Sequence, residues 1–482
     1  MTETNRNYID GEWTAADSGE TYEVENPADT TEVVAEYQLS NETDVENAVA
    51  AADAAQDAWA DTPAPERGAI LRETAQILES RKEELIERLV REEGKTRSEA
   101  GEVQRTIDIF YYYAEKAMDD GGTVKGAGGQ NRTVSTKKEP LGVAALVTPW
   151  NYPSAIPAWK IAPALATGNT VVNKPAKPAP GPAVQIAEAL DEAGLPDGVL
   201  NIVTGSGSDI GDPLVGHDDV DVVSFTGSDQ VGHHVYGTAV DDMKRAQAEM
   251  GGKNPSIITD SADVDEAVDI VGAGAFGVTG QACTANSRAI VHTDVYDEFV
   301  EGIVEYAENI DIGPGLEDPD MGPHVTQSEL DSTLEYVDIA ESEGATRETG
   351  GERLTGDEYD DGYYVTPAVF SDVEPDMRIA QEEVFGPVLA VIEVDDFEEG
   401  IEVANDSDFG LSASVVTDDL SEANEFVDRI ESGVAKVNEK TTGLELHVPF
   451  GGVKRSSTNT YREQGDAALD FFTQTKTVYV NY

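Results

Sequence analysis

Strand-like and helix-like segments alternate along most of the chain after residue 140. Short runs rich in β-branched residues are followed by longer runs with apolar residues at three- and four-residue spacing. This alternation is typical of βαβ units, in which a helix connects two parallel strands. A second alternating block covers about 254 to 440. We therefore expect an α/β protein with parallel sheets. The runs of the first block are 143–147, 156–166, 170–172, 184–193, 200–203, 210–215, 220–225 and 230–240.

The remaining segments predict additions to these blocks. Residues 1–40 have the pattern of short strands and turns, and residues 43–60 and 65–117 predict helices. Residues 120–140 are rich in glycine and polar residues, and 476–480 is strand-like. Neither of these last two segments is expected in a domain core.

The charge of the chain restricts its surroundings and partners. It has 95 acidic and 32 basic side chains, a formal charge of −63 spread along the whole length. Self-repulsion of this size strains a compact fold at low salt, whereas at 1 M salt a Debye length of about 3 Å screens it. Nucleic acids and anionic membranes are disfavoured as partners. Without a signal peptide or an apolar run of about 18 residues, the protein is expected to be soluble in a salty cytoplasm.

Cys283 is the single cysteine of the chain and cannot form an internal disulfide. A lone cysteine is often a small core residue. This one follows a glycine-rich segment, where backbone can approach a ligand closely. Glu249 precedes two glycines, and Asn151 lies in a run of tryptophan, tyrosine and prolines. A thiol, a carboxylate and an amide together favour covalent catalysis.

Two glycine-rich turns follow predicted strands. Gly227 and Ser228 open a predicted helix that contains Gly232, and Gly207 belongs to the second turn. The free N–H groups at the start of a helix attract phosphate. Neither turn matches the G-x-G-x-x-G fingerprint, so ordinary tight turns remain an alternative.

Together these segments resemble the aldehyde dehydrogenase superfamily over essentially the whole chain. The motifs that carry the resemblance, in order, are TPWNYP, NKPA, FTGSDQVG, EMGGKNP, GQACTA, EEVFGPV and PFGGVK. The resemblance implies a Rossmann-like dinucleotide-binding domain (1–121 and 141–250), an α/β catalytic domain (251–450) and a β arm (122–140 and 468–482). The arm would join subunits into homodimers or homotetramers.

The resemblance also implies roles for single residues. Cys283 would attack an aldehyde, Asn151 would stabilise the oxyanion, and Glu249 would activate water to release the acid. Relatives that pass the acyl group to coenzyme A usually lack this glutamate, so hydrolytic release is expected. An ordinary thiol also needs a base or a favourable field, which Glu249 or a water could provide. The residues implied to hold the cofactor are Thr148, Pro149, Trp150, Lys174, Gly207, Gly227, Ser228, Gly232, Glu383 and Phe385.

Lys177 departs from the pattern of the family. Many relatives carry a glutamate there, three residues after the ribose-binding lysine that matches Lys174. A glutamate repels a 2′-phosphate, whereas a lysine attracts it. The cofactor is therefore expected to be NADP, with NAD possible, although two solvated lysines remain an alternative.

The runs 441–452 and 456–465 resemble one branch of the family, the 2-oxoglutarate semialdehyde (2,5-dioxopentanoate) dehydrogenases of sugar-acid breakdown. A substrate with a carboxylate needs a cation, for which Arg105 is the candidate; a surface salt bridge is its alternative role. Tyr152 and Trp159 would line the substrate channel or pack in the core. Rival functions are a broad aliphatic or betaine aldehyde dehydrogenase and an inactive relative. No metal is expected, because the six histidines lack ligand spacing.

We predict that activity and thermal stability rise with KCl into the molar range, because −63 charges need screening. The measurement is a thermal melt and an initial rate across a KCl series, with sucrose of matched osmolality as the control. Equal stability and activity in dilute buffer would contradict the salt-adapted interpretation.

Overall fold

A computed structural model describes residues 3–119, 121–356 and 359–482. Short strands come first and packed helices follow them. These elements are β1 (Glu3–Thr4), β2 (Asn7–Ile9), β3 (Glu12–Thr14), β4 (Thr21–Asn26), β5 (Asp29–Gln38), α1 (Glu42–Asp61), α2 (Ala64–Ser80), α3 (Lys82–Glu93) and α4 (Glu102–Lys116). β5 pairs with β1 and β4 in a small sheet.

The next part of the chain alternates strands and helices, as predicted. It contains β6 (Val124–Lys125), β7 (Arg132–Pro140), β8 (Val143–Val147), α5 (Ala155–Ala166), β9 (Thr170–Lys174), α6 (Gly181–Glu192), β10 (Leu200–Ile202), α7 (Gly207–Val215), β11 (Val222–Thr226), α8 (Asp229–Asp241) and β12 (Arg245–Glu249). A sheet of order β12-β11-β8-β9-β10-β2-β3 forms from this part, which we call the first sheet. Its strands from β12 to β10 are parallel.

The order of the first sheet reverses at β8. The chain continues from β8 to β9 and β10 on one side, and then returns to β11 and β12 on the other. In parallel α/β sheets ligands bind beyond the carboxyl ends of the strands at such a reversal. The loops after β8 and β11, which carry Asn151 and Gly227, are therefore placed to bind a ligand.

The third part forms the second sheet. Its elements are β13 (Asn254–Ile258), α9 (Val264–Phe276), β14 (Asn286–His292), α10 (Tyr296–Glu308), α11 (Gln327–Glu343), β15 (Thr346–Thr349), β16 (Ala368–Ser371), α12 (Arg378–Gln381), β17 (Val388–Val394), α13 (Phe397–Asn405), β18 (Phe409–Gly410), β19 (Ser412–Val416), α14 (Leu420–Arg429), β20 (Val434–Val437), β21 (Val453–Lys454), α15 (Gly465–Phe471) and β22 (Thr473–Asn481). The strands of the second sheet have the order β15-β16-β17-β14-β13-β19-β20, with β15 antiparallel to β16. β18 and β21 form a separate two-stranded sheet.

Residues of the predicted site lie just before strands of the second sheet. Cys283 precedes β14, and Glu383 and Phe385 precede β17. These strands are parallel, so their amino ends share one edge of the sheet. The site thus lies where the amino edge of the second sheet meets the carboxyl edge of the first.

Side chains of the first sheet alternate between two apolar layers. In β8, Ala144 and Leu146 pack in one buried cluster with residues of α4, α5 and α6. Val143 and Ala145 pack in another with residues of α1, α7 and α8. A strand buried on both faces has a continuous apolar run in its sequence, which is the pattern of 143–147.

β7 and β22 form a long antiparallel ribbon from Thr473 opposite Pro140 to Asn481 opposite Arg132, with β6 at its edge. The side chains of Val124, Tyr479 and Tyr482 are exposed on it. The predicted strand at 476–480 lies inside β22. The predicted arm and domain boundaries stay a prediction.

The segment 65–117 is helical, as predicted, with breaks that the prediction did not locate. The segment is divided into α2, α3 and α4, with a 3₁₀ turn at Glu99–Gly101. α3 ends at Gly94, whose φ of 96° is left-handed and stops a helix. The sequence pattern missed this break because apolar spacing continues on both sides of it.

Candidate active site

Cys283 lies on the wall between two cavities. We call them the Trp150 cavity, of about 190 Å³, and the Trp159 cavity, of about 220 Å³. The Trp150 cavity is also lined by Pro149, Trp150, Asn151, Thr226, Gly227, Ser228, Met250, Gly251, Glu329, Glu383 and Phe385. The Trp159 cavity is also lined by Glu99, Gly101, Glu102, Arg105, Tyr152, Ala155, Ile156, Trp159, Thr284, Gly443, Leu444 and Phe450. One thiol can therefore meet two molecules that enter from different sides.

A strained turn leads into Cys283. Val278 and Thr279 have φ of 55° and 54°, a left-handed conformation that costs free energy in residues with a side chain. Gly280 follows with φ of 66°, and a Cβ atom there would lie 2.2 Å from the carbonyl oxygen of Gly386. Such crowding fixes the path of the backbone just before the thiol.

Asn151 reaches this turn from the end of β8. Its buried amide Nδ2 donates a hydrogen bond to the carbonyl oxygen of Gln281 at 3.0 Å. Behind the thiol, Asn254 donates to the carbonyl oxygen of Cys283 at 2.9 Å. An amide held beside a nucleophile can stabilise the negative oxygen that forms when a carbonyl is attacked.

Burial raises the pKa of the Cys283 thiol to about 12, and the carboxylates of Glu383 and Glu249 act in the same direction. The side chain is therefore a thiol at neutral pH. This corrects the expectation that Glu249 provides a field favourable to the thiolate, because like charges near a thiolate disfavour it. A base must remove the proton when the thiol reacts.

Glu249 ends β12 and is buried. Its carboxylate accepts hydrogen bonds from the amide of Gly452 at 2.9 Å and from the hydroxyl of Ser457 at 2.7 Å. Burial raises its pKa to about 8, with Glu463 as the next cause. A carboxylate that titrates near neutral pH is suited to proton transfer.

Glu463 is a buried residue for which the sequence suggested no role. Its carboxylate accepts hydrogen bonds from the ammonium of Lys160, from Trp159 Nε1 at 2.8 Å and from Gln247 Nε2 at 3.0 Å. Each of these partners lies more than 200 residues from Glu463 in the chain, so no spacing rule could have found this cluster. Glu463 thus connects Trp159, in the wall of the Trp159 cavity, with Gln247 on β12, the strand that ends at Glu249.

Glu383 and Phe385 face the Trp150 cavity. Glu383 Oε1 accepts a hydrogen bond from the amide of Gly252 at 3.0 Å, and burial raises its pKa to about 7. A Cβ atom at Gly251 would lie 1.9 Å from this carboxylate, so a larger residue there would displace the Glu383 side chain. Phe385 has φ of 57°, and its ring meets the ring of Trp150 edge to face at 5.4 Å.

The turn after β11 leaves backbone groups open to the Trp150 cavity. Ser228 occupies the N-cap position of α8 without a side-chain hydrogen bond to the helix. A Cβ atom at Gly232 would lie 2.5 Å from Met250 Sδ, so this glycine allows close packing of helix and strand. The helix N-terminus is thus free to receive an anion.

Lys174 and Gly207 lie next to each other. Lys174 Cε is 3.8 Å from the position of a Cβ atom on Gly207, and burial lowers the pKa of its ammonium to about 8. Thr148 donates its backbone N–H to the carbonyl oxygen of Lys174 at 3.2 Å. The buried Asn173 donates to Thr148 Oγ1 at 3.3 Å and so holds the loop after β8.

The Lys177 side chain lies in a groove that is separate from the Trp150 cavity. Its exposed ammonium is 4.8 Å from the centroid of the Tyr22 ring. Both residues line a groove of about 310 Å³ that also contains Pro178 and Tyr363. This groove shares no lining residue with the Trp150 cavity.

The structure places all three predicted substrate residues in the Trp159 cavity: Tyr152, Trp159 and Arg105. Arg105 Nη2 donates to Gln464 Oε1 at 3.0 Å, and burial lowers the pKa of its guanidinium. Arginine keeps its charge under such a shift. The cavity therefore contains a half-buried cation among aromatic side chains.

His233 and His234 lie close to different carboxylates, those of Asp229 and Asp212. Away from the site, Asp260, His292 and Asp294 bring possible ligand atoms within 4.8 Å of one another. His292 Nδ1 already accepts the backbone N–H of Asp294 at 3.1 Å. The expectation of no metal stays a prediction.

The model of the aldehyde dehydrogenase family matches residues 13–478. With a half-buried thiol between two cavities and the sheet order described above, the chain belongs to the aldehyde dehydrogenase family. Across 3–119, 121–356 and 359–482, every helix is too short or too polar to span a membrane.

Curated relatives match over nearly the full length. An alpha-ketoglutarate semialdehyde dehydrogenase of Haloferax volcanii is 64% identical over 100% of both chains. An alpha-ketoglutaric semialdehyde dehydrogenase of Bacillus subtilis is 47% identical, over 100% of this chain and 99% of the relative. A 2,5-dioxopentanoate dehydrogenase of Saccharolobus solfataricus is 43% identical over 96% of both.

Solved structures share the fold. A betaine aldehyde dehydrogenase of Staphylococcus aureus in complex with NAD⁺ has a TM-score of 0.96 at 35% identity, over 99% of this chain and 94% of that one. A 3,6-anhydro-L-galactose dehydrogenase in complex with NADP has a TM-score of 0.96 at 38% identity, over 99% and 100%. The predicted aldehyde dehydrogenase fold is confirmed.

We predict that alkylation of Cys283 by iodoacetamide accelerates about tenfold per pH unit from pH 7 to 10 without a plateau, because its pKa is raised to about 12. Glutathione, whose thiol is solvated, serves as the control and should level off near its ordinary pKa of about 8.5. Mass spectrometry measures the rate on the single thiol. A plateau below pH 9 would show that the thiol is not shifted.

Proposed function

We propose that the protein oxidises an aldehyde to a carboxylic acid through a thiohemiacetal and a thioester on Cys283. The observation that carries this proposal is the thiol on the wall shared by two cavities. The aldehyde enters the Trp159 cavity, and the Trp150 cavity receives a nicotinamide ring, which accepts the hydride when bound. Against an inactive relative, Asn151 lines the Trp150 cavity together with Cys283, and the carboxylate of Glu249 is near enough to the thiol to raise its pKa.

Asn151 and Glu249 act at different stages. As the thiol gives its proton to Glu249 or to a water and the sulfur adds to the aldehyde carbon, the Asn151 amide and the backbone N–H of Cys283 stabilise the oxyanion. One such donor is worth roughly 10²–10³ in rate. After oxidation, Glu249 takes a proton from water as that water attacks the thioester carbonyl. Because Glu249 supplies this base, we propose hydrolysis rather than transfer to coenzyme A.

The pKa of Glu249 predicts how thioester hydrolysis depends on pH. Below about pH 8 the carboxyl is protonated and cannot accept a proton, so the hydrolysis rate should rise as pH increases through 8. Glu249→Gln should remove this dependence and accumulate an acyl-enzyme that mass spectrometry detects. Cys283→Ala is the control that forms no acyl-enzyme. Normal acid release by Glu249→Gln would show that another group is the base.

The cofactor is proposed to bind along the carboxyl edge of the first sheet. Lys174 and Gly207 would contact the adenosine ribose, and the start of α8 the pyrophosphate, since its N–H groups are free. Glu383 would accept hydrogen bonds from the nicotinamide ribose, and the absent side chain of Gly251 leaves room for this carboxylate. Thr148, Pro149, Trp150 and Phe385 complete the wall of this channel.

NADP is proposed to be preferred over NAD, with NAD still used. Lys177 now rests on the Tyr22 ring, a contact worth about 0.5–1 kcal/mol at an exposed site. A charge-assisted hydrogen bond to a 2′-phosphate is worth about 1.5–3 kcal/mol. Because this is more than the contact with the ring, the Lys177 ammonium would leave Tyr22 and bind the phosphate.

Lys177→Glu should shift the preference toward NAD, mainly by raising KM for NADP by roughly ten- to a hundredfold. Initial rates with both cofactors in molar KCl measure this shift. Lys125→Glu, the same charge change on β6, is the control. If both variants behave alike, Lys177 is a solvated lysine without a role in cofactor choice.

The substrate is proposed to be 2,5-dioxopentanoate, as the names of the curated relatives suggest. Arg105 offers a cation in the Trp159 cavity, about 220 Å³ in volume, which suits the carboxylate of a five-carbon acid. A broad or betaine-type substrate range is the second candidate. The aromatic side chains of Tyr152 and Trp159 and the similarity to betaine aldehyde dehydrogenase favour it.

Arg105→Met should raise KM for 2,5-dioxopentanoate roughly ten- to a hundredfold. KM for pentanal should stay unchanged, because pentanal has no carboxylate that could bind Arg105. Arg72→Met, at an exposed arginine on α2, is the control. A profile with betaine aldehyde as third substrate separates the two candidates. An equal loss for both five-carbon aldehydes would remove Arg105 from carboxylate recognition.

Assembly and cellular location are also proposed from the sequence and the fold. The β7–β22 ribbon, with its exposed aromatic side chains, is proposed to join homodimers or homotetramers. A salty cytoplasm is proposed as the location, in agreement with the Haloferax relative. Size-exclusion chromatography with light scattering in molar KCl measures the assembly.

A further inference from the structure

A buried ion pair, Lys95 with Glu102, lies at the corner between α3 and α4 (residues 94–102). Glu102 lines the Trp159 cavity, but the proposed chemistry gives the pair no role. The side chain of Lys95 is fully buried and its ammonium contacts the carboxylate of Glu102. The same ammonium lies 3.9 Å from the centroid of the Tyr152 ring. Burying an ion pair costs free energy unless its geometry satisfies every donor and acceptor, so the contacts of this pair call for a functional explanation.

Lys95 holds the backbone of the proposed oxyanion donor. Its ammonium donates a hydrogen bond to the carbonyl oxygen of Asn151. The second oxygen of Glu102 accepts the backbone N–H groups of Ser154 at 3.0 Å and Ala155 at 3.3 Å. Ser154 gives α5 no side-chain cap, so Glu102 supplies it from another helix. The turn 151–155 is thus held at both ends by one ion pair.

The same corner also holds the turn before Cys283. Glu99 accepts the backbone N–H of Val278 with one oxygen and that of Thr96 with the other, at 3.0 Å. Val278 begins the strained left-handed turn that leads to the thiol. The chain segments carrying Asn151 and Cys283 come from different sheets, and residues 94–102 contact both.

We propose that Lys95 is a positioning residue, which through Glu102 and the Asn151 carbonyl sets the place of the Asn151 amide relative to Cys283. The proposal rests on the oxyanion role of Asn151 proposed above. A donor displaced by 1 Å can cost about 10²-fold in rate. Loss of Lys95 should therefore lower kcat and leave the binding of cofactor and aldehyde nearly unchanged.

The test compares Lys95→Met with the double variant Lys95→Met/Glu102→Gln. The double variant removes both charges of the Lys95–Glu102 pair, and its new amide side chain keeps an oxygen for the N-terminus of α5. The buried carboxyl of Glu93, 4.0 Å from Lys95, remains, and burial raises its pKa to about 8, so it is neutral at pH 7. The double variant should therefore fold even where the single variant does not. Both lose the hydrogen bond to Asn151. We expect kcat to fall roughly 10–100-fold in both variants, with KM for the cofactor within about twofold of wild type. KM for the aldehyde should stay within about twofold in Lys95→Met, because Lys95, unlike Glu102, does not line the Trp159 cavity. Circular dichroism and a thermal melt in molar KCl confirm folding.

Lys244→Met is the matched control. Lys244 is also a buried lysine whose ammonium donates to two backbone carbonyls, those of Val215 at 3.0 Å and His217 at 2.6 Å, at the far end of β12. Its loss removes similar contacts away from the thiol. It should change stability without a comparable fall in kcat.

A double-mutant cycle with Asn151→Ala separates the role of Lys95 from that of Asn151. If Lys95 acts through the amide, its loss should change kcat less than about twofold once the amide is gone. A wild-type kcat in the folded double variant would overturn the proposal. So would a fall of the same size in the Asn151→Ala background. If Asn151→Ala alone keeps the wild-type kcat, the oxyanion role fails instead.

Discussion

The active site depends on two sheet edges that face each other. Strands of the first sheet end at this boundary, and strands of the second begin there. The first sheet carries Glu249 at the end of β12 and Asn151 in the loop after β8, and the second carries Cys283 and Glu383 in the short segments before β14 and β17. Strand ends are rigid, so the reacting groups are held without long loops. The Trp150 cavity is the space between these edges, and the Trp159 cavity, lined mainly by α4, α5 and the segment 443–450, also contains the thiol in its wall.

Desolvation sets the chemistry at this boundary. Burial moves the pKa of Cys283 to about 12, of Glu249 to about 8 and of Glu383 to about 7. All three shifts favour neutral forms, in a protein whose surface carries a charge of −63. Some interior charges are held as pairs, such as Lys160 with Glu463 and Lys95 with Glu102, and the buried guanidinium of Arg288 is held by backbone carbonyl oxygens. Charge is thus solvated outside and paired, hydrogen-bonded or neutralised inside.

The sequence predicted the alternating sheets and the motif residues, because strand ends, glycine turns and the lone thiol leave local patterns. It could not show that Glu249 is held by Gly452 and Ser457, since those contacts join segments some two hundred residues apart. The same holds for Lys95, whose partner Asn151 lies on another element. The contact of the Lys177 ammonium with the Tyr22 ring joins two distant segments across a groove, and a spacing rule does not describe such a contact.

Oxidation damage at the thiol has a different outcome in this chain than in proteins with several cysteines. A sulfenic acid on Cys283 would be open to repair if a second thiol could close a disulfide on it. The chain contains no other cysteine. Repair therefore requires a thiol from another molecule, and it must pass through a cavity of about 220 Å³ or 190 Å³. Protection against peroxide thus depends on keeping the sulfur protonated until an aldehyde arrives.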